Sequence, residues 1–177
     1  MRKLVPPTTA VHESFLDAME EFRAEGRADP RDESSIAQEL REFGDTWRDP
    51  EVFGRYVQML VDEQRTPRRE GFVTATNLWL IDGDEYLGRI AIRHRLNDFL
   101  REIGGHIGYD VRKSARRRGH ATYMLKEALP IARSLGIESA LITCDVDNVA
   151  SRKVIEANGG VFEGEHGGRL RFWTPTA

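Results

Sequence analysis

Residues 109–121 read YDVRKSARRRGHA, and this stretch decides the fold. A β-prone segment ends near Val111, and an amphipathic helix begins near Gly119. The first backbone N–H groups of such a helix have no intrahelical partner and carry the positive end of the helix dipole, so they bind an anion with several donors. The same stretch concentrates five cations within seven positions: Arg112, Lys113, Arg116, Arg117 and Arg118. The segment therefore predicts a phosphate-binding turn between a strand and a helix.

Two familiar phosphate motifs do not account for this turn. The Gly-Lys-[Ser/Thr] ending of a Walker loop and the Gly-x-Gly-x-x-Gly dinucleotide spacing are both missing. Gly119 allows close approach of the backbone to a ligand, and Ala121 keeps the next turn small. A short basic cluster suits a phosphate-bearing small molecule better than a nucleic-acid track. For the charge alone, a solvated surface is the alternative interpretation.

Composition indicates one soluble globular domain over residues 1–177. Hydrophobic residues make up 40% of the chain and charged residues 31%. No apolar stretch is long enough to span a membrane, and the N-terminus lacks the apolar core of a signal peptide. The single cysteine, Cys144, cannot form an internal disulfide, which fits a reducing, cytoplasmic setting.

The pattern of apolar residues and turns predicts a mixed α/β fold, with one mostly antiparallel sheet flanked by helices. Residues 1–70 form a helical portion, and residues 72–177 form the sheet and the phosphate-binding core. Pro130 lies inside the helix after the phosphate turn and predicts a kink or an early end. The predicted helices are 12–23, 34–43, 51–64, 119–135 and 148–157; the predicted strands are 72–81, 85–92, 103–111, 138–144, 161–163 and 169–173.

The phosphate turn resembles the acetyl-CoA signature of the GNAT N-acetyltransferase family, [Gln/Arg]-x-x-Gly-x-[Gly/Ala], which Arg116, Gly119 and Ala121 match. Downstream, residues 148–160 resemble the family segment Asn-x-x-[Ala/Ser]-x-x-[Val/Leu]-x-x-x-x-Gly. Together the two similarities cover about residues 103–163. The resemblance implies a GNAT-like acyl-CoA-binding fold, acetyl-CoA as co-substrate, and strands 103–111 and 138–144 that part to admit it.

The resemblance also assigns residues to the cofactor. Backbone groups of Tyr109, Asp110 and Val111 pair with the pantetheine arm as an added strand does. Asn148 and Ser151 lie near the thioester, although Asn148 is alternatively only a helix N-cap. His120 is expected to point outward and touch the cofactor. The pyrophosphate is held at the turn by Arg116, Arg117, Arg118, Gly119, His120, Ala121 and Thr122.

Two catalytic positions of many relatives differ here. Where relatives place a glutamate, this chain has Gly105 and His106, and His106 is the natural substitute because its pKa is ordinarily about 6.5. The alternative is a histidine that only hydrogen-bonds within the sheet. At the position of Ile155 many relatives carry a tyrosine that acts as the general acid, so Ser151 becomes the candidate general acid here. Glu102 and His94 are weaker candidates for the base and would act through a water molecule. Tyr109 and Tyr123 also carry hydroxyls near the site in sequence, but a role in the core is expected for each.

The remaining side chains narrow the choice of chemistry. His12 and His166 have no neighbours in sequence that indicate a metal site, so no metal is expected. Cys144 has no recognisable histidine partner, which argues against a thiol mechanism. Trp47 lies in the polar connector between helices and is a candidate to line the acceptor pocket.

The predicted function is direct transfer of an acetyl group from acetyl-CoA to a primary amine on a small molecule or peptide. The helical portion over residues 1–70 is expected to bind the acceptor. Residues 1–100 carry an excess of six negative charges, which is compatible with a cationic amine. One alternative is a GNAT-fold module that binds acyl-CoA without turnover. Another is a phosphate- or nucleic-acid-binding protein, but the interleaved aromatic residues of such proteins are missing. Neither nucleic acid nor membrane is expected as a partner, and the resemblance implies a homodimer.

Overall fold

Two antiparallel sheets form the centre of the molecule. In the computed structural model, which describes all 177 residues, the first sheet has the strand order β1-β2-β3-β4 and the second the order β5-β7-β6. The predicted mixed fold with antiparallel strands flanked by helices is confirmed, and the ladder of the predicted single sheet is interrupted between β4 and β5. The strands are β1 (Arg2–Val5), β2 (Ala75–Asp82), β3 (Glu85–Arg93), β4 (Ile107–Val111), β5 (Ser139–Asp145), β6 (Val161–His166) and β7 (Arg169–Pro175).

Five α-helices cover the sheets: α1 (His12–Ala24), α2 (Ser35–Phe43), α3 (Pro50–Asp62), α4 (His120–Ser134) and α5 (Val149–Ala157). Their starts follow the expected capping chemistry. The Ser34 side chain accepts from the Ala37 N–H, and the Asp49 side chain caps α3 with Pro50 as the first helical residue. None of the helices is long and apolar enough to cross a membrane.

Helix α4 continues through Pro130 to Ser134, so the prediction of an early end is wrong. Proline removes the donor that would bind the Lys126 carbonyl. Lys126 and Pro130 both lie on the exposed side of the helix, where water can satisfy that carbonyl. The opposite side is apolar and buried, and its packing against the first sheet keeps the helix intact.

The predicted strand 103–111 is shorter in the structure. Residues Leu100–Gly104 form a π-helical turn, and β4 begins only at Ile107. Between them, Gly105 has a φ of +64° and lies so close to β5 that an added Cβ would be 2.5 Å from the Leu141 carbonyl oxygen. This glycine therefore allows the two sheets to meet at one point before they part.

Two hydrophobic cores lie on opposite faces of the first sheet. One packs α4 and α5 against the strands, and the other joins α1, α2 and α3 to Trp79 and Tyr86. Trp47 belongs to the second core: it is 1% exposed and its ring meets Phe15 edge-on at 5.1 Å. The expectation that Trp47 lines an acceptor pocket is therefore wrong, because neighbouring aromatic rings enclose it.

Candidate active site

The turn before α4 presents an uninterrupted row of backbone donors. Gly119, the N-cap of α4, is in the left-handed region with φ +74°, and Arg117 has φ +63°. No backbone N–H group of residues 117–122 donates to an acceptor within the protein. Because these groups also lie at the positive end of a 15-residue helix, the turn has the geometry of an anion site.

The five cations around this turn divide into two groups. Arg112 is buried and binds Glu21 at 2.6 Å, and Arg116 binds both carboxylate oxygens of Glu25 on the chain that follows α1, at 2.5 and 2.8 Å. These two arginines fix the turn against α1. Lys113, Arg117 and Arg118 are exposed and make no ion pair, so they are the cations left for a ligand. The Arg116 side chain, expected at the cofactor, is instead occupied by Glu25.

A residue from the first strand joins the turn and was missed in the sequence. The Arg2 guanidinium contacts His120 Nδ1 at 3.0 Å and the Arg118 carbonyl at 3.4 Å, and it stacks over the Tyr123 ring at 4.3 Å. Burial, Arg2 and Arg118 together lower the pKa of His120. No local pattern could have found this contact, because Arg2 and His120 are 118 positions apart.

His106 marks the point where the sheets part. Its backbone N–H donates to the Leu141 carbonyl at 2.7 Å, and the Leu141 N–H donates to His106 Nδ1 at 2.9 Å. The ring thus takes the place of a backbone acceptor in the ladder between β4 and β5. Burial, with Arg101 and Arg93 nearby, lowers the pKa of His106. The geometry favours the second interpretation of His106, a histidine that hydrogen-bonds within the sheet.

Beyond this point Tyr109, Cys144 and Ser151 come together between β4, β5 and α5. The Tyr109 hydroxyl lies 2.8 Å from Ser151 Oγ, and burial raises the pKa of Tyr109. Asn148 caps α5 by accepting from the Ser151 N–H at 3.1 Å, as one interpretation of the sequence predicts. Burial raises the pKa of Cys144, so its thiol is neutral at physiological pH.

One large cleft joins these hydroxyls to the helical portion of the chain. Its volume is about 890 Å³, and its lining runs from Ser151 and Cys144, past Gly108 and Asp110 on β4, to Arg27 and Ser34 before α2. Asp110 accepts from Arg27 at 3.1 Å. The lining includes many charged groups beneath the helices, so the cleft suits a polar ligand better than an apolar one.

The two weaker base candidates, His94 and Glu102, contact other side chains away from the cleft. His94 contacts the hydroxyls of Thr74 and Thr76, each at 2.8 Å, and burial lowers its pKa. Glu102 pairs with His166 at 2.5 Å on the surface. Neither His94 nor Glu102 lines the cleft.

The sequence matches a family model described as the acetyltransferase (GNAT) domain over residues 13–161. The chain belongs to the GNAT acetyltransferase family. The predicted class of enzyme, an acetyl-CoA-dependent acyltransferase, is therefore confirmed. No curated protein matches the sequence.

Solved structures share the fold at low sequence identity. The microcin C7 self-immunity acetyltransferase in complex with acetyl-CoA and AMP superposes with a TM-score of 0.64 at 15% identity, covering 98% of this chain and 92% of that one. Ribosomal-protein-S5-alanine acetyltransferase from Vibrio fischeri gives 0.65 at 13%, covering 98% and 91%. PaiA N-acetyltransferase from Thermoplasma acidophilum with coenzyme A gives 0.61 at 13%, covering 99% of both chains.

Proposed function

We propose that this protein is an N-acetyltransferase that moves the acetyl group of acetyl-CoA directly to a primary amine. The observation that carries the proposal is the single cleft that joins the parted strands to the polar space beneath α2. Direct transfer needs both substrates in one space, because the amine must reach the thioester without a covalent enzyme intermediate. The buried, neutral Cys144 thiol agrees with a mechanism that uses no enzyme nucleophile.

Four of the cofactor positions predicted from the sequence line this cleft, namely Tyr109, Asp110, Asn148 and Ser151, and the phosphate turn lies outside its lining. The free N–H groups of residues 117–122 face a pyrophosphate, with Arg117, Arg118 and Arg2 at the rim. The edge of β4 that β5 leaves unpaired, over residues 107–111, offers backbone groups to an extended amide-containing arm. That arm ends beside Tyr109 and Ser151, which line the cleft.

The chemistry that follows is a balanced substitution at the thioester carbonyl. The amine nitrogen forms a bond to the carbonyl carbon, the carbon–sulfur bond breaks, and the sulfur leaves with the bonding electron pair. The Tyr109–Ser151 hydroxyl pair is the proton donor that this chain offers the sulfur, and it takes the place of the tyrosine replaced by Ile155. His106 is then a positioning residue that holds β4 against β5, and the amine loses its proton to water in the open cleft.

Two glycines at the ends of α4 give a matched test of the cofactor site. Gly119 and Gly136 both have positive φ, +74° and +89°, with open space around them. Gly119→Val and Gly136→Val therefore carry similar backbone strain, of about 1–3 kcal/mol. We expect Gly119→Val alone to weaken acetyl-CoA binding, at least tenfold by calorimetry, because only Gly119 borders the free N–H groups.

The activity itself is tested by CoA release from acetyl-CoA across polyamines, amino acids, aminoglycosides and peptide N-termini. Acceptor-dependent release that falls in the Gly119→Val variant and persists in Gly136→Val supports the proposal. Tight acetyl-CoA binding without release on any amine points instead to the binding module without turnover. Equal affinity for acetyl-CoA in both variants contradicts the phosphate-turn assignment.

A further inference from the structure

The cleft is lined by six arginines, and five of them are neutralised by carboxylates. Arg27 pairs with Asp32 and Asp110, Arg31 with Asp29, Arg68 with Glu63 and Glu39, Arg89 with Glu39, and Arg169 with Asp145. Arg93 is the exception. No carboxylate lies within 4.0 Å of its guanidinium, although most of its side chain is shielded from solvent. Paired charge is the rule for shielded arginines, so this one calls for a partner.

The guanidinium of Arg93 is fixed by hydrogen bonds from one of its nitrogens, and its other two nitrogens have no partner in the protein. Its Nη1 donates to the carbonyl oxygens of Gly104 and Gly105, at 2.9 and 3.4 Å. Neither Nε nor Nη2 makes a hydrogen bond within the protein, and no nitrogen of Arg93 is among the buried side-chain atoms without a partner. These two donors therefore retain access to the cleft. A guanidinium with free neighbouring donors matches the two oxygens of a carboxylate or phosphate.

The sheet around Arg93 leaves room for such an anion. Ala91 on β3 pairs with Gly108 on β4, which places two small residues side by side on the cleft face next to Arg93. A Cβ atom added at Gly108 would lie 3.3 Å from Arg93 Nη1, so any larger side chain there would cover the guanidinium. Gly108 thus keeps this face of the arginine open, close to the start of β4 where the strands part.

We propose that Arg93 binds an anionic group of the acceptor, so that the preferred substrates are primary amines that also carry a carboxylate or a phosphate. The inference rests on the proposed acetyl transfer, since it names the class of acceptor for the same cleft. The acceptor supplies the counter-charge that Arg93 lacks in the protein. Its amine then extends from this anchor toward the Tyr109–Ser151 end of the cleft.

Matched pairs of amines test this anchor. β-Alanine, 4-aminobutyrate and 6-aminohexanoate are compared with alkylamines of equal length, and phosphoethanolamine with ethanolamine. Each is titrated calorimetrically into the CoA-saturated protein and assayed for acetylation. The variants are Arg93→Gln, Arg93→Lys and, as the control, Arg31→Gln, which makes the same chemical change at an exposed arginine of the cleft rim.

We expect the wild type and Arg31→Gln to prefer at least one anion-bearing amine to its neutral match. Arg93→Gln should reduce that preference by about ten- to a hundredfold and leave the affinity for the neutral amine and its acetylation unchanged. A preference within the amino acid pairs indicates an acceptor with a carboxylate, and a preference for phosphoethanolamine over ethanolamine indicates an acceptor with a phosphate. The proposal is overturned if the wild type shows no preference for the anion-bearing amines, or if Arg93→Gln keeps the wild-type preference. It is also overturned if Arg93→Gln loses the same factor in affinity and acetylation for both amines of a pair.

Two further readouts keep the test decisive. If Arg93→Gln does not fold, Arg93→Lys decides, since lysine keeps the charge but loses the paired donors: a severalfold lower preference supports the anchor, and a wild-type preference overturns it. Binding to the CoA complex also separates the two proposals. Arg93-dependent anion binding without turnover refutes acetyl transfer alone, whereas turnover with a preference independent of Arg93 refutes the anion anchor alone.

Discussion

At the scale of single residues, His106 shows how a side chain can replace a backbone group. Its Nδ1 receives the Leu141 N–H where β4 and β5 separate, so in the neutral ring the proton is on Nε2. The nitrogen that could accept a proton from an amine is therefore already bonded. A buried donor such as the Leu141 N–H would lose its only partner if the ring were removed.

Two substitutions at His106 separate a structural role from a role as base. Asparagine can place its side-chain oxygen near the position of Nδ1, whereas alanine cannot. We expect His106→Asn to keep most of kcat/KM, and His106→Ala to lower the free energy of unfolding by about 1–3 kcal/mol. Urea unfolding and the pH profile of kcat/KM are the measurements. Loss of the acidic limb of that pH profile in His106→Asn, in a variant that remains folded, would restore His106 as the base.

At the scale of elements, one carboxylate joins three of them beneath the cleft. Glu39 on α2 is 1% exposed and accepts from the Tyr56 hydroxyl of α3 at 2.9 Å. It also pairs with Arg89 on β3 and with Arg68, the latter at 3.4 Å. Burial alone raises the pKa of Glu39, but the two arginines outweigh it and the pKa is lowered. The helices are thus fixed over the sheet by a shared buried charge.

Removal of this charge should destabilise the protein far more than removal of a surface charge on the same helix. Glu39→Ala leaves the shielded Arg89 guanidinium without a carboxylate and leaves Arg68 with Glu63 alone, and we expect a loss of about 3–5 kcal/mol. Glu42→Ala breaks an exposed pair with Arg69 at 2.7 Å and should cost at most about 1 kcal/mol. Chemical unfolding of both variants checks the difference. Similar losses in the two variants would contradict the role given to Glu39.

At the scale of the whole molecule, three histidines make stability depend on pH. Burial lowers the pKa values of His94, His106 and His120 in the folded state. The unfolded chain therefore binds more protons below about pH 6.5, so the free energy of unfolding falls as the pH drops through that value. The carboxylates with lowered pKa values act only at more acidic pH, since their ordinary values are near 4.

Urea unfolding at about pH 7.5, 6.5 and 5.5 tests this expectation. The wild type should lose stability across the series, and His106→Asn should show a smaller slope because one of the three groups is gone. A stability that is constant or rises toward pH 5.5 would contradict the assignment.

The strand, turn and helix around residues 109–121 and the order of elements could be predicted from the sequence because both depend on local signals. The caps at Ser34 and Asp49 and the glycine at 119 act within a few residues of their own position. The orientation of His106, the enclosure of Trp47 and the unpaired charge of Arg93 could not be predicted. Each depends on which distant residue becomes the neighbour, and neither periodicity nor motif spacing contains that information.

The unpaired edge of β4 also bears on self-association. An exposed strand edge ordinarily invites another chain to add to the sheet, and proteins protect such edges with charge or covering segments. Here the edge over residues 107–111 faces Thr143 and Cys144 of β5 across the cleft, inside the molecule. An intruding strand would have to accommodate a side chain at every residue between the two sheets, whereas the pantetheine arm carries only small substituents. In the proposed complex, the parting of the sheets therefore favours strand-like pairing with a small molecule over pairing with another polypeptide.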